Sequence, residues 1–157
     1  MSKTIYLGAD HAGFALKEKI KYYLSRKKVS FHDCGDLVFN KDDDYPDFAA
    51  SVAKNAVKNK TFGIIFCGSA EGVCIAANKI KGARAVNPHG IIQTKLAREH
   101  EDANLLCLAG GRSLKPQPAI SFETAIRMIE IFLKTPFSGE PRHIRRINKI
   151  KLLENKR

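Results

Sequence analysis

Cys67-Gly68-Ser69-Ala70-Glu71-Gly72 places a thiol, a hydroxyl and two glycines within six residues. The segment follows Phe62-Gly63-Ile64-Ile65-Phe66, an apolar run that reads as a central strand buried on both faces. Glycines directly after a strand let the backbone turn tightly and approach a ligand. Backbone N–H groups at the start of the following helix point at an anion, and the same dipole favours a cysteine thiolate placed there. Cys67 is then a candidate base, and Gly68, Ser69, Ala70, Glu71 and Gly72 a candidate oxyanion cradle. A buried cysteine closing a β–α turn has the same pattern, and spacing alone weighs the two readings equally.

Three further groups carry ionisable chemistry. Gly8-Ala9-Asp10-His11-Ala12-Gly13 ends an early apolar run. It is neither G-x-G-x-x-G nor a Walker sequence, so dinucleotide binding gains little support. Asp10 beside His11 suits proton transfer or anion binding, although a helix cap followed by an exposed histidine is the stronger reading of that pair alone. His100 ends a helical pattern, where an imidazole gains from the dipole whatever its function. Arg142 and Arg146 stand four apart on one helix face, spaced for two guanidinium forks to grip a phosphate dianion. By pattern alone, a basic amphipathic surface helix explains them better.

These residues hang on alternating strand and helix patterns. Strands are expected at Ile5–Leu7, Val29–Phe31, Phe62–Cys67, Ala83–Val86 and Leu105–Ala109. Helices are expected near 14–26, 73–79, 89–100, 119–134 and 139–155, with one more capped by Asp47 after a polar loop at Asn40–Pro46. Such alternation implies βαβ crossovers: a Rossmann-like three-layer α/β/α sandwich on a five-stranded parallel sheet, in one domain spanning 1–157. Ligands of these sheets bind beyond the carboxyl ends of the strands. Asp10, His11, Cys67, Ser69 and Arg112 all follow a strand directly. Ile144, Ile147 and Ile150 form a separate apolar face on the last helix, which therefore extends toward a partner subunit or packs on its own domain.

Composition narrows the class. The 157 residues are 44% hydrophobic and 27% charged, ordinary for a globular domain. No run is long enough to span a bilayer and no signal peptide precedes the first strand, so the cytoplasm is the expected address. Cys34, Cys67, Cys74 and Cys107 form no C-x-x-C pair, so neither a zinc site nor a disulfide is expected, and all but Cys67 read as small buried hydrophobes. The net charge of +11 comes from scattered lysines with a cluster near the end, without a nucleic-acid-binding motif. It fits a basic surface, or a cationic pocket for an anionic metabolite.

Taken in order, these segments resemble the type B ribose-5-phosphate isomerases, a family that also contains galactose-6-phosphate isomerase subunits. The resemblance covers most of the chain. It is carried by Gly8–Phe14, Asp44-Tyr45-Pro46-Asp47-Phe48-Ala49, Cys67-Gly68-Ser69, Ile75–Lys79, Gly82–Ala85, His100–Asn104, and Arg142-His143 with Arg146. It implies an aldose–ketose isomerase of the pentose phosphate pathway, working through a cis-enediolate without metal or cofactor. Cys67 would be the base moving the proton between C2 and C1, and the Gly68–Gly72 backbone with Ser69 the enediolate cradle, each oriented donor contributing roughly 3–4 kcal/mol. His100 with Asp10 nearby would open the sugar ring. His11, Arg112, Arg142 and Arg146 would hold the phosphate, with Tyr45 as a wall. The resemblance further implies a homodimer with sites shared between subunits, or a tetramer made of two such dimers. A hexose-6-phosphate (allose or galactose) isomerase is the neighbouring alternative, and a non-catalytic nucleotide- or RNA-binding module the alternative of another class.

Three positions depart from the family pattern. Ala70 stands where glycine is usual. Glu71 replaces a small or apolar residue and would repel an enediolate unless its side chain points away. Glu101 stands where a substrate-contacting asparagine is usual, a place where sugar preference can change. The Ser113–Phe122 stretch also looks long, with Pro116 and Pro118 suggesting a lid or surface loop.

Overall fold

Side chains alternate across a strand, so a strand buried on both faces must feed two cores. Strand β3 (Gly63–Cys67) does this, with every residue buried. Ile64 and Phe66 join one cluster with Leu7, Ile20, Leu106, Met128 and Phe132. Ile65 and Cys67 join the other with Val52, Ala53, Val73 and Cys107. The computed structural model describes residues 4–111 and 120–155.

The other strands are β1 (Ile5–Ala9), β2 (Phe31–Asp33), β4 (Ala85–Val86) and β5 (Leu105–Ala109). They form one sheet in the order β2-β1-β3-β5-β4. All pairs are parallel, with Ala9 opposite Phe66 and Cys67 opposite Ala109. Helices α1 (Phe14–Arg26) and α5 (Phe122–Lys134) cover one face, and α2 (Tyr45–Lys58) and α3 (Glu71–Ala77) the other. Helices α4 (Ile91–Glu101) and α6 (Pro141–Glu154) pack against each other. This is the expected three-layer sandwich. The chain steps outward from β1 to β2, then returns across β1 to β3. The switch point between β1 and β3 is where such sheets open a crevice, and Asp10 and Cys67 flank it.

Element ends differ from the sequence expectation in instructive ways. Helix α2 starts at Tyr45, so Pro46 lies in its first turn and not in a loop. A proline costs little there because the N–H it lacks would be unpaired anyway. Helix α3 starts at Glu71, two residues early, because Ala70 turns the chain in a left-handed conformation. Cys107 and Cys67 are buried, whereas Cys34 and Cys74 are only half-buried. Ile147 is buried within its own chain, leaving Ile144 and Ile150 as the exposed part of the expected apolar face.

Candidate active site

Two turns converge behind Cys67. A Cβ on Gly13 would lie 2.3 Å from the Phe66 carbonyl carbon and 2.7 Å from the Cys67 nitrogen, so only glycine lets the β1–α1 turn approach β3 this closely. A Cβ on Gly110, after β5, would likewise lie 2.7 Å from the Ala12 carbonyl oxygen. This close approach fixes Asp10, which is buried. Its Oδ1 accepts the Gly13 N–H at 2.9 Å, and its Oδ2 accepts the Cys67 thiol at 2.9 Å. Cys67 keeps 9% exposure as a residue, against none for Cys107 on β5.

The Cys67 thiol is pushed up to about 12, first by burial and then by the Asp10 carboxylate; the Gly68 and Ala70 N–H groups pull the other way. A helix dipole acting alone would favour the thiolate. In the free protein the opposite holds, because loss of solvent and an adjacent anion outweigh two amide donors. Within one chain Asp10 is bonded to Cys67 and not to His100.

The cradle follows. Ala70 has φ +67 and is fully buried, so a non-glycine residue sits in the left-handed region, where the family pattern has glycine. Glu71 is held by Asn87, whose Nδ2 donates to Oε1 at 2.9 Å and lies 3.4 Å from the Ser69 carbonyl oxygen. That bond engages the carboxylate whose repulsion of an oxyanion was the concern. Ser69 is half-buried, with Oγ a loose 3.5 Å from the Glu71 N–H. The Tyr45 ring lies against the turn: a Cβ on Gly72 would come within 2.7 Å of Cζ.

His11, next to Asp10, is raised above the ordinary histidine value, chiefly by its bond to Asp43, against an opposing burial effect. Nδ1 and Asp43 Oδ1 are 2.6 Å apart, and the Phe39 ring meets the imidazole edge-on at 6.5 Å.

The remaining site residues gather elsewhere. Helix α4 runs back to the amino edge of the sheet, where Glu101 is followed by Asp102–Asn104 and the start of β5. His100 and Glu101 therefore lie at the end opposite Cys67. His100 stacks on His143 of α6, centroids 4.3 Å apart, and Ser138 Oγ meets His143 Nδ1 at 2.7 Å. Arg142 and Arg146 flank His143 on the same helix, both exposed, with Arg142 Nε donating to Glu140 at 2.8 Å. Arg98 and Arg84 brace this end through Asp102 and the Glu101, Asp102 and Ala103 carbonyls. One chain thus carries two half-sets: Asp10, His11, Tyr45 and Cys67–Gly72 at the carboxyl edge, and His100, Glu101, Arg142 and Arg146 at the other. Arg112 and Ser113–Ala119 lie outside the described residues.

Sequence reasoning gave no role to Asp43, Asn87 or His143. Asp43 carried a weak signal as an acid two residues before Tyr45, and His143 as the residue between the paired arginines. Asn87 carried none.

The family model described as Ribose/Galactose Isomerase matches residues 5–150. A Mycoplasma genitalium protein named "Probable ribose-5-phosphate isomerase B" is 41% identical over 152 residues, covering 96% of this chain and 95% of its own. Ribose-5-phosphate isomerase B of Mycolicibacterium paratuberculosis is 38% identical, over 92% of this chain and 87% of its own. Among solved structures, the M. genitalium isomerase with bound ribulose-5-phosphate superposes with a TM-score of 0.89 at 39% identity, covering 100% and 99% of the two chains. Trypanosoma cruzi type B ribose 5-phosphate isomerase gives 0.87 at 36% identity over 99% of each. Matches of this length and identity leave one conclusion: the chain belongs to the ribose/galactose isomerase family, in its type B ribose-5-phosphate isomerase group.

Proposed function

We propose that the chain interconverts ribose 5-phosphate and ribulose 5-phosphate, with the Asp10–Cys67 pair moving the proton and a second copy of the chain completing each site. The 2.9 Å thiol–carboxylate contact beside the glycine turn carries this reading. A C2 proton next to a carbonyl is weakly acidic, so its removal needs a positioned base and a stabilised oxyanion. At rest the sulfur holds the proton and Asp10 the charge. As the open-chain sugar displaces water, the thiol proton passes to Asp10 Oδ2, and the Gly68 and Ala70 N–H groups steady the thiolate. The thiolate takes the C2 proton. The C–H electron pair becomes the C1–C2 double bond, and the carbonyl pair moves to O1, where the Gly68–Gly72 turn and Ser69 meet the enediolate. A hydroxyl proton passes from O2 to O1, and Cys67 returns its proton to C1 as C2 becomes the carbonyl. No metal or cofactor enters this scheme.

His100 then serves ring opening, Tyr45 walls the sugar, Glu101 contacts it, and His11, Arg112, Arg142 and Arg146 hold the phosphate. Among the described residues, one chain holds these groups at two separate ends, which supports a homodimer whose sites each draw one half-set from either copy. Exposed Ile75, Ile92, Leu96, Ile144 and Ile150 offer apolar surface for that contact. Four free cysteines suit the reducing cytoplasm. The test is turnover of ribose 5-phosphate without added metal, compared side by side with allose and galactose 6-phosphates. Turnover confined to a hexose phosphate would move the assignment within the family, and turnover of none of these sugars would end it.

A further inference from the structure

The loop between β2 and α2 crosses the carboxyl edge of the sheet and ends on His11. Its root is fixed by Lys17, a fully buried lysine whose Nζ donates to Asp33 at 2.6 Å and to the Asp36 carbonyl at 2.8 Å. Further along, Phe39 sets its ring edge-on to both His11 and Phe14. At its end, Asp43 approaches His11 at 2.6 Å with its own side chain only 4% exposed, while the imidazole keeps 34%. The acid is therefore enclosed and the histidine opens outward.

A carboxylate only accepts, so Nδ1 of His11 must carry the bonded hydrogen. Nε2 has no hydrogen-bond partner among the described residues. In the neutral ring it would present a lone pair, which a phosphate repels. In the imidazolium it presents an N–H, which a phosphate accepts. Resting on the isomerase reading above, we propose that Asp43 is a positioning residue: it fixes the His11 ring through Nδ1 and keeps Nε2–H as the donor offered to the substrate's phosphate. The acids around His11 agree in sign. Asp43 and Asp42 from the loop and Asp10 from the β1–α1 turn all favour the charged ring, while burial opposes it. On α1, Lys17 is committed to Asp33, Glu18 and the Asp36 carbonyl.

The experiment compares the full-length protein with Asp43→Asn and Asp43→Glu, checking the fold of each by circular dichroism. Histidine-ring NMR should show His11 with a proton on Nδ1 and a titration midpoint that falls in Asp43→Asn. At pH 8 the KM for ribose 5-phosphate should rise about tenfold in Asp43→Asn, because only the charged fraction binds. There kcat should change less than about twofold, and at pH 6 the two proteins should converge as the freed ring protonates unaided. Asp43→Glu should recover part of the loss. A KM unchanged at pH 8, or raised equally at pH 6 and pH 8, would overturn the proposal. If the wild type does not turn over ribose 5-phosphate, the isomerase reading fails by itself. Inorganic phosphate then serves as the probe: a His11 shift on phosphate addition that Asp43→Asn abolishes supports the proposal, and equal shifts in both proteins overturn it.

Discussion

Asp10 spends both carboxylate oxygens within its own chain, one on the Gly13 N–H and the other on the Cys67 thiol. The acid and the sulfur behave as one proton-holding unit. Burial and the carboxylate keep that proton on sulfur at neutral pH, against the smaller opposing pull of the Gly68 and Ala70 amides.

Asp10→Asn tests the pairing. The amide cannot take the thiol proton, so kcat should fall by about 10²–10⁴, the usual worth of a positioned proton acceptor. Iodoacetamide alkylation of Cys67 should respond in the other direction. Its midpoint should drop from about 12 yet stay above the ordinary 9.0, because burial is the larger cause and remains. A midpoint unmoved by the substitution would separate the two residues functionally.

Alkaline stability gives an independent reading of the same thiol. The folded protein keeps the Cys67 proton to about 12, whereas the unfolded chain releases it near 9.0. Between those values the unfolded state binds fewer protons, so this group's effect is absent below pH 9 and lowers stability as pH rises toward 12. The limiting slope is about 1.4 kcal/mol per pH unit. Urea unfolding of wild type and Cys67→Ala from pH 8 to 11 should diverge above pH 9, with wild type losing more. Parallel curves would mean that the thiol ionises normally.

The two glycines at the site should fail differently. Gly13→Ala drives a Cβ into backbone atoms of Phe66 and Cys67, which cannot step aside. It should cost about 2–3 kcal/mol of stability, seen in chemical denaturation, and spoil the Asp10–Cys67 alignment. In Gly72→Ala the three atoms nearest the added Cβ all belong to the side chain of Tyr45, a residue that is 40% exposed, and none to backbone. Stability should shift by less than about 1 kcal/mol while kcat/KM falls. Equal destabilisation in both would contradict this division.

Much of this was legible in the sequence because its physics is local. The five strands, their parallel pairing and the placement of Asp10 and Cys67 at strand ends follow from alternating apolar runs and glycine turns. What was not legible depends on contacts between distant segments. The high thiol value comes first from burial among packed elements and then from Asp10, 57 residues away in sequence, and the occupation of Glu71 comes from Asn87 across the α3–β4 connection. The family motifs also mix roles that spacing cannot separate. Asn78 and Asn104 lie in segments that carry the family resemblance, yet they tie down β4 and its flanks through the Ala85, Arg84 and Gly82 backbones. The separation of His100 from Cys67 is a property of topology: α4 must return to the amino edge before β5 can begin.

That separation predicts complementation. Cys67→Ala and His100→Ala proteins, each inactive alone, should regain activity when mixed under conditions that exchange subunits. Random pairing in equal amounts makes half the dimers mixed, each with one intact site of two, so recovery should reach about a quarter of wild type. No recovery, with exchange demonstrated by mass, would place both residues in one subunit's site.

Cys67 is proposed to carry the hydrogen from C2 to C1. Turnover of ribose 5-phosphate deuterated at C2, run in H2O and followed by NMR at C1 of the ketose, traces that atom in wild type and in folded Cys67→Ala. Wild type should deliver deuterium to C1, and the variant should lose both transfer and turnover by about 10³-fold or more. Turnover and transfer by Cys67→Ala at rates within tenfold of wild type would overturn the assignment.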